Sequence, residues 1–460
     1  MRRPMFRLNH SVRFLQLPAI ALALAFAAVA AIPAGAGPYK VLHSFCSGGS
    51  CGDGSQPKAA LTMDLSGNLF GTAAVGGHSG HGTVFELTRS ETGKLKFDRI
   101  YSFCPRGNCS DGANPFGSLI VDTQGNLFGT AAAGGNVNQG VVFKLSPGGR
   151  KGWTETVIYN FCQQSGCSDG AAPAAGLTYA GAASGALYDG TSSLYGTTTR
   201  GGSNNLGSVF SLTPNGDVWE EGVIYSFCML GGEACTDGKS PQSALLLDSS
   251  GNLFGTTVTG GGHNVGGDSE GAGVLYQLAP NGDGTWTQTV LHHFCSSNHC
   301  ADGARPFDTP IMDATGALFG TTSGGGKNCA EGQGYGCGTI FKLIPQGDNS
   351  PETILYAFCS KKNCKDGFAP GGGVTMDSSG NLFGTTRVGG NTVEGGGVLY
   401  ELGVDSYNVL HRFCSLANCA DGNLPDASLV LDSAGTLYGT TVYGGTGQGV
   451  DSGTVFEFLR

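Results

Sequence analysis

The dipeptide Phe-Cys occurs seven times in this chain of 460 residues, at intervals of 55 to 67 residues. After each copy come a second Cys, an Asp-Gly pair two residues later, and a Pro four residues after that Asp. The seven copies contain Cys46, Cys104, Cys162, Cys228, Cys295, Cys359 and Cys414. Repeats of this length are typical of folds built from one small structural unit per repeat. The pattern therefore predicts seven similar units, which begin near residues 41, 99, 157, 223, 290, 354 and 409.

Each unit carries four short segments rich in β-branched and aromatic residues, bounded by Gly, Asn, Asp and Pro. We name them a (Leu-x-x-Asp), b (Leu-Phe-Gly-Thr), c (Val-Phe-x-Leu) and d, which runs into Phe-Cys. Such segments are typical of strands. The chain also has 81 glycines, and Gly is unfavourable in helices by up to ~1 kcal/mol relative to Ala. The sequence predicts an all-β fold, a seven-bladed β-propeller of four-stranded blades.

The two ends of the repeat array predict how the ring closes. The array begins with a d strand, Tyr39 to Phe45, that has no a, b or c strand before it. It ends with a c strand, Thr454 to Phe458, that has no d strand after it. Pairing the N-terminal d strand with the last c strand would complete a blade and remove two open edges. An open solenoid of seven stacked units is the alternative, although neither end resembles a capping repeat.

Residues 1–36 have the parts of a secretory signal peptide: four arginines, an apolar run from Phe14 to Ile32, and a small-x-small site at Ala34 to Ala36. An uncleaved membrane anchor is the alternative. We expect residues 37–460 to form a single propeller without a transmembrane span. Without those four arginines the chain has 21 basic and 35 acidic residues, a net charge of −14. This charge disfavours nucleic acid as a partner.

The repeats resemble those of a known bacterial family. The strings that carry the resemblance are Gly67-Asn68-Leu69-Phe70-Gly71-Thr72, Gly251-Asn252-Leu253-Phe254-Gly255-Thr256-Thr257 and Gly380-Asn381-Leu382-Phe383-Gly384-Thr385-Thr386. They are similar to the choice-of-anchor tandem repeat GloVer-containing proteins, over about Tyr39 to Arg460. The resemblance implies exported repeats and no defined activity. Because no hydrophobic tail follows Val455, we expect a protein that is secreted or loosely associated with the cell surface.

The sixteen cysteines form eight close pairs in the sequence, which predicts eight local disulfides in an oxidising compartment. The predicted pairs are Cys46–Cys51, Cys104–Cys109, Cys162–Cys167, Cys228–Cys235, Cys295–Cys300, Cys329–Cys337, Cys359–Cys364 and Cys414–Cys419. Zinc or iron–sulfur sites would need four converging thiolates, which a single pair per blade does not supply. Pairing between neighbouring blades stays open, because connectivity is not fixed by sequence.

Two other recurring residue types have both a structural and a functional interpretation. The Asp of Cys-x-Asp-Gly could bind calcium, but it lacks the alternating acids of a calcium loop, so we expect it to cap backbone N–H groups. Trp153, Trp219 and Trp286 precede d strands at one register. They could stack on sugar rings, but the shared position favours packing between blades.

The b–c loops vary in length and sequence, and variable loops on a constant scaffold are common ligand sites. We therefore expect an extracellular binding or surface-interaction module for a neutral glycan or a protein partner. The candidate ligand-binding residues are His78, His81, Asn138, Asn205, His263, Tyr335, Asn391 and Asp451. The histidines among them could also bind a metal ion, although the spacing fixes no third ligand.

An enzyme is the alternative function, namely a carbohydrate-active hydrolase or lyase with its site at the pore mouth on the b–c loop face. No Ser-His-Asp arrangement, nucleophile elbow or phosphate-binding loop is recognisable. Paired carboxylates could cleave a glycosidic bond, and the candidates are Asp268, Glu270, Glu331 and Glu394. We expect a monomer that needs no cofactor.

Overall fold

The computed structural model describes residues 38–105, 107–148, 152–216, 218–229, 234–265, 269–327, 336–391, 395–447 and 452–460, together with Met1. Pro38–Arg460 forms one compact unit. The predicted signal peptide lies outside the described residues. Within the described part of the chain, no helix has the length and apolar character needed to cross a membrane.

The strands are short and follow one another with the order of the repeat. The first twelve are β1 (Tyr39–Ser44), β2 (Thr62–Met63), β3 (Leu69–Ala73), β4 (Thr83–Arg89), β5 (Leu95–Ser102), β6 (Ile120–Val121), β7 (Leu127–Ala131), β8 (Val141–Pro147), β9 (Trp153–Asn160), β10 (Leu194–Thr198), β11 (Ser208–Asn215) and β12 (Val218–Ser226). The others are β13 (Leu246–Leu247), β14 (Leu253–Thr257), β15 (Val274–Pro280), β16 (Trp286–His293), β17 (Ile311–Met312), β18 (Leu318–Thr322), β19 (Thr339–Leu343), β20 (Glu352–Ala357), β21 (Thr375–Met376), β22 (Leu382–Thr386), β23 (Val398–Leu402), β24 (Tyr407–Arg412), β25 (Val430–Leu431), β26 (Leu437–Thr441) and β27 (Thr454–Phe458).

These strands form seven antiparallel sheets, each of which is one blade. In the order a, b, c, d, the blades are β2-β3-β4-β5, β6-β7-β8-β9, β10-β11-β12, β13-β14-β15-β16, β17-β18-β19-β20, β21-β22-β23-β24 and β25-β26-β27-β1. We number them blades 1 to 7 in that order. Short 3-10 turns occur at Ser165–Cys167, Ala182–Ser184, Asn298–Cys300, Lys362–Cys364 and Ala417–Cys419. The predicted seven-bladed propeller is confirmed.

The predicted closure of the ring is also confirmed. Strand β1 pairs antiparallel with β27, from Tyr39 opposite Phe458 to Ser44 opposite Thr454. The last blade is thus completed by both ends of the array. This pairing removes the open edges that an unclosed solenoid would present.

Blade 3 differs from the prediction of four strands. Its strand a is reduced to a single bridge between Thr178 and Tyr195. The chain then makes a longer excursion, in which the N–H of Tyr188 donates to the carbonyl oxygen of Val121 in blade 2. The Tyr188 ring is fully buried and packs edge-on against Phe128, with ring centroids 5.3 Å apart. The inserted segment therefore pairs with blade 2, and blade 3 lacks a full strand a.

Packing between neighbouring blades explains several of the recurring residues. Phe103, from the Phe-Cys that follows β5, lies edge-on to Phe143 of β8, with ring centroids 5.1 Å apart. Gly129 in β7 leaves room for the same ring, since a Cβ there would lie 2.6 Å from the Cζ atom of Phe143. Side chains this close would need the core to shift, which is unfavourable in a packed interior. This strand-b glycine is therefore required by a close approach.

The three tryptophans also pack between blades, as predicted. Each ring, from a d strand, lies edge-on to an aromatic ring on strand b of the preceding blade. The pairs are Trp153 with Phe70, Trp219 with Phe128 and Trp286 with Tyr195, with centroids 6.1 to 6.4 Å apart.

Seven of the eight predicted disulfides are present, each within the loop that follows a d strand. Cys337 is disulfide-bonded as well, and its predicted partner Cys329 lies outside the described residues. The two cysteines of each described disulfide are five or seven residues apart in the sequence, so each bond closes a short ring. Short rings restrict the unfolded chain less than long ones, so these bonds mainly fix the loops themselves.

Candidate functional site

Seven short segments, one from each blade, meet around the centre of the ring. Each begins at the Pro that follows the Asp-Gly pair, and the residue after that Pro lines the central channel. These residues are Lys58, Phe116, Ala174, Gln242, Phe307, Gly371 and Asp426. The Pro is buried in every blade, whereas the residue after it is at least partly exposed. We call these seven residues, with Arg200, Ser323 and Arg387, the channel mouth.

The local backbone explains why these side chains reach the channel. The residue before each Pro has a positive φ, as in Asn114 (φ 56°) and Arg305 (φ 56°). A following Pro disfavours the right-handed helical conformation. The unusual backbone is fixed by a hydrogen bond across the blade boundary: the N–H of Asn114 donates to the carbonyl oxygen of His81 at 2.9 Å. Each entry segment is thus attached to the preceding b–c loop before it turns inward.

The channel mouth encloses a cavity of useful size. Its wider part has a volume of about 570 Å³ and includes Arg200, Ser323 and Arg387, which follow the ends of b strands. A narrower part of about 140 Å³ continues between the entry segments of the a strands. Small-molecule sites usually measure ~300 to 1,000 Å³. The wider part therefore has room for a ligand such as one or two sugar rings.

The channel mouth combines charged, amide and aromatic groups. The Nζ atom of Lys58 lies 5.4 Å from the centroid of the Phe116 ring. The Nε atom of Arg387 lies 3.1 Å from Oδ1 of Asp426. Burial raises the pKa of Asp426, while the charges of Arg387 and Lys58 act in the opposite direction. The site thus offers an ion pair, two further cations (Lys58 and Arg200) and the face of an aromatic ring to a polar ligand.

A second carboxyl group, Asp308, lies deeper in the same channel. Its Oδ2 atom accepts hydrogen bonds from the N–H of Gly373 and the hydroxyl of Ser428. Its Oδ1 atom accepts from the N–H of Thr309 at 2.6 Å. The Oδ2 atom therefore joins two other segments of the channel wall, while Oδ1 caps the adjacent peptide, so Asp308 has structural contacts through both oxygens.

The predicted b–c loop residues make local contacts in the blades. The N–H of His78 donates to the hydroxyl of Ser102 at 2.8 Å, and its Nε2 atom lies 2.9 Å from a guanidinium nitrogen of Arg99. Ser102 and Arg99 both belong to β5, an outermost strand. The side-chain oxygens of Asn138 and Asn205 accept from backbone N–H groups four residues earlier, at 2.8 and 3.0 Å. These two amides stabilise the turns of their own loops.

The other candidates from the sequence are placed as follows. The carboxylate of Glu270 lies 2.8 Å from the Nζ atom of Lys239. The His263 ring lies 6.1 Å from the His293 ring in the same blade, and Asn391 is exposed. His81 lies near the disulfide-bonded Cys104 and Cys109, whose sulfurs are not free to bind a metal. Five candidates lie outside the described residues: Asp268, Glu331, Tyr335, Glu394 and Asp451. A ligand-binding role for all of these stays a prediction.

Sequence reasoning did not identify the channel mouth, although a signal was present in the repeats. The Asp, the Gly and the Pro are constant in all seven units, whereas the residue after the Pro has six different identities. A position that varies beside constant neighbours is not restricted by the packing that keeps those neighbours constant.

A second series of polar groups lies between neighbouring blades, near the disulfide loops. The Asp of each Asp-Gly pair accepts hydrogen bonds from backbone N–H groups of its loop. In blade 5, for example, Asp366 accepts from the N–H groups of Ser360 and Lys361 at 2.8 and 3.1 Å. The predicted capping role is confirmed.

Each of these aspartates also meets a Tyr or His of strand d, two residues before the Phe of Phe-Cys. The polar atoms are 2.7 to 3.4 Å apart. The pairs are His43–Asp53, Tyr101–Asp111, Tyr159–Asp169, Tyr225–Asp237, His292–Asp302, Tyr356–Asp366 and His411–Asp421. Sequence analysis did not identify this Tyr or His, although its offset from Phe-Cys is the same in every unit.

A third residue, from strand d of the next blade, lies against each pair. It stands six residues before the next Phe of Phe-Cys. In order from the His43 pair, these residues are Phe97, Glu155, Glu221, Gln288, Glu352, Tyr407 and Tyr39. We call the seven sets of three residues the outer ring. It connects every blade to the next with side chains from three fixed positions of the repeat.

Glu155 and Glu221 are among the carboxyl groups of the outer ring whose acidity is strongly altered. Burial, together with the nearby charge of Asp111, raises the pKa of Glu155 to about 7. Burial and the nearby charge of Asp169 raise the pKa of Glu221 to about 7 in the same way. Both groups therefore change their charge near neutral pH.

Comparisons with known proteins agree with the repeat architecture. The sequence profile described as the Gloeobacter/Verrucomicrobia repeat matches residues 28–193, 180–330 and 328–460. No curated protein matches the chain. One similar solved structure is a proposed oxidoreductase (glucose dehydrogenase) from Thermus thermophilus, at 16% identity and a TM-score of 0.37. The alignment covers 75% of this chain and 96% of that one.

Proposed function

This chain belongs to the Gloeobacter/Verrucomicrobia repeat family, and we propose that it is an exported binding protein that holds a neutral glycan at its channel mouth. One observation carries the proposal. Seven equivalent positions converge on a cavity, and they carry six different residue types between buried, constant prolines. The residues at this position range in size and charge from Gly to Phe, Lys and Asp, a range that packing against constant neighbours does not require. Its variation gives the cavity an asymmetric surface, which is what recognition of a particular ligand requires.

The chemistry of the channel mouth supports a neutral polar ligand. Phe116 and Phe307 can stack on the apolar faces of sugar rings. Gln242 and the Arg387–Asp426 ion pair can exchange hydrogen bonds with hydroxyl groups. Over the rest of the surface, the excess of acidic residues in the chain disfavours binding of a long anionic polysaccharide.

Export of the protein is part of the proposal. The predicted signal peptide at residues 1–36 supports it, and the seven described disulfides suit an oxidising compartment. The disulfide bonds that close these small loops would be reduced in the cytosol of most organisms. A protein partner instead of a glycan, and a loose association with the cell surface, belong to the same proposal of an extracellular binding role.

Binding fits the channel better than hydrolysis. Glycoside cleavage usually needs two carboxyl groups that are free to act on the substrate. Asp426 is held by Arg387, and both oxygens of Asp308 accept hydrogen bonds from the channel wall. The hydrolase or lyase therefore stays the second candidate, to be distinguished by its products.

The binding test compares the channel mouth with the b–c loops. A glycan array identifies a neutral oligosaccharide, and calorimetry measures its affinity for the wild-type chain. We expect the double variant Phe116→Ala/Phe307→Ala to weaken binding at least about tenfold, because aromatic stacking contributes ~1 kcal/mol or more at such contacts. Asn391→Ala, in an exposed b–c loop, should leave the affinity unchanged.

If Asn391→Ala weakened binding and the double variant bound normally, the ligand would bind at the b–c loops and not at the channel mouth. Incubation of the oligosaccharide with wild-type protein should give no new reducing ends and no unsaturated products. Products that appear with the wild type and are lost with Asp426→Asn would establish the enzyme instead.

A further inference from the structure

One set of the outer ring differs from the other six in its chemistry. At the boundary of blades 4 and 5, His292 of β16 and Asp302 of the following loop meet Glu352 of β20. The Nε2 atom of His292 lies 3.4 Å from Oδ2 of Asp302 and 3.5 Å from Oε2 of Glu352. The side chains of Asp302 and Glu352 are only 6% and 7% exposed, and that of His292 is 12% exposed. Three side chains that can bind a metal thus converge at a buried point.

The distances between these atoms fit coordination of one ion. Zinc binds imidazole nitrogen and carboxylate oxygen at ~2.0 to 2.2 Å, so two ligands of a tetrahedral site lie ~3.4 Å apart. The two measured separations agree with this edge. They are long for direct hydrogen bonds between a ring nitrogen and a carboxylate, which usually measure ~2.7 to 2.9 Å when charged.

The hydrogen bonds of the cluster also leave ligand atoms without partners. Among the described residues, neither Nε2 of His292 nor Oε1 of Glu352 makes a hydrogen bond, and both atoms are buried. A buried polar atom without a partner is unfavourable by ~1 to 3 kcal/mol. The two acidic side chains also face each other with a single imidazole between them. A divalent cation would satisfy the ring nitrogen and balance both carboxylates.

We propose that His292, Asp302 and Glu352 bind a divalent transition-metal ion of the zinc or manganese type, which links blade 4 to blade 5. Imidazole and carboxylate together suit such an ion better than calcium or magnesium, which prefer oxygen ligands alone. Asp302 is already oriented for this role by the N–H and hydroxyl of Ser296, both at 2.8 Å. Hydrogen bonds of this kind to a ligating carboxylate are typical of metal sites.

The other histidines of the outer ring show why the site arises at this boundary. The His43 ring is stacked by Phe97 at 3.6 Å and the His411 ring by Tyr39 at 3.7 Å, so neither meets a second carboxylate. Glu155 and Glu221 do meet an Asp, but with a Tyr as the third residue. Within the described ranges, the two other close groups of potential ligands contain cysteines that are disulfide-bonded. His, Asp and Glu therefore occur together in one set of the ring.

The test measures metal on the full chain, exported to the periplasm and freed of its affinity tag. The protein is treated with EDTA, dialysed, and titrated with ZnCl₂ and separately with MnCl₂ in a calorimeter, with elemental analysis of the loaded sample. We expect one equivalent of bound metal and a higher midpoint of thermal unfolding when the metal is present. His292→Tyr should weaken binding more than about 100-fold, beyond the effect usual for residues outside the ligand set.

His292→Tyr is chosen because it recreates the Tyr–Asp–Glu arrangement of Tyr159, Asp169 and Glu221, which this fold already accommodates. Glu352→Gln, which copies Gln288, is the second variant and should lose the metal as well. His411→Tyr makes the same substitution at an equivalent position and should keep one equivalent. The proposal is wrong if wild-type protein binds neither ion, or if both ligand variants retain the full equivalent.

Discussion

The outer ring and the channel mouth both take one side chain per repeat from fixed positions, yet they vary in different ways. In the outer ring the Asp never changes, and its partner on strand d is always Tyr or His. In the channel mouth the equivalent position carries Lys, Phe, Ala, Gln, Gly or Asp. The first set must reach the same carboxylate across a blade boundary, whereas the second faces an open cavity. Positions that contact the same carboxylate in every unit are thus restricted to one or two residue types, whereas the position that faces the cavity is not.

The largest difference between the two regions should be in stability. Asp366 is fully buried and accepts four hydrogen bonds, from Tyr356, from the N–H and hydroxyl of Ser360, and from the N–H of Lys361. Asp366→Ala would leave these donors without their acceptor, which should lower the free energy of unfolding by about 2 to 4 kcal/mol. Gln242→Ala in the channel mouth should change it by less than about 0.5 kcal/mol.

Denaturant unfolding of the two variants measures this difference. Asp366→Asn keeps one acceptor oxygen and should fall between them. Equal effects of Asp366→Ala and Gln242→Ala would mean that the constant residues of the repeat are not the ones that stabilise it.

A second prediction tests whether the outer ring is interchangeable between boundaries. Tyr159→His would place an imidazole beside Asp169 and Glu221, which reproduces the residue types of the proposed metal site. We expect the binding stoichiometry for Zn²⁺ to rise from one to two. The new site should bind more weakly, because the residues around it are arranged for the phenol of Tyr159. Elemental analysis of the zinc-loaded variant gives the answer.

Tyr101→Phe, which adds no ligand, is the control for that experiment. A stoichiometry that stays at one after Tyr159→His would show that residue types at these three positions are not sufficient. The blade boundary itself would then have to differ between the second and the fourth blade.

The fold was predictable because each unit repeats its own boundaries. Constant Gly, Asp and Pro positions marked the ends of the strands, and the unmatched strands at the two ends implied closure. The outer ring was not predictable in this way, because Glu352 lies sixty residues from His292 and meets it only when neighbouring blades pack. The channel mouth could not be predicted for the same reason: Lys58 and Asp426 come from opposite ends of the array and come close only in the folded ring. The irregular blade 3 was missed because Tyr188 exchanges a local pairing for a contact with another blade.

The smallest predicted effect concerns the charge of the outer ring. In the unfolded chain a Glu has a pKa near ~4.3, whereas in the folded chain the pKa of Glu155 is raised to about 7. The folded state therefore binds this proton more tightly. The stability that it contributes is fully present below the unfolded pKa and is lost as the pH rises through about 7. Glu155→Gln, which cannot become charged, should be neutral at pH 4 and stabilising at pH 8.

The gain at pH 8 should be modest, ~1 to 2 °C in the midpoint of thermal unfolding, because the side chain is partly exposed and its charge is screened. Blade 4 supplies the reverse experiment, since Gln288 occupies the same register and donates from Nε2 to the carbonyl oxygen of Asp237 at 2.9 Å. Gln288→Glu should be destabilising at pH 8 and nearly neutral at pH 4. If both variants shifted stability equally at the two pH values, the effect would come from lost hydrogen bonds and not from charge. Opposite signs that appear only at high pH would establish that these two boundaries of the outer ring accept an amide and a protonated acid alike.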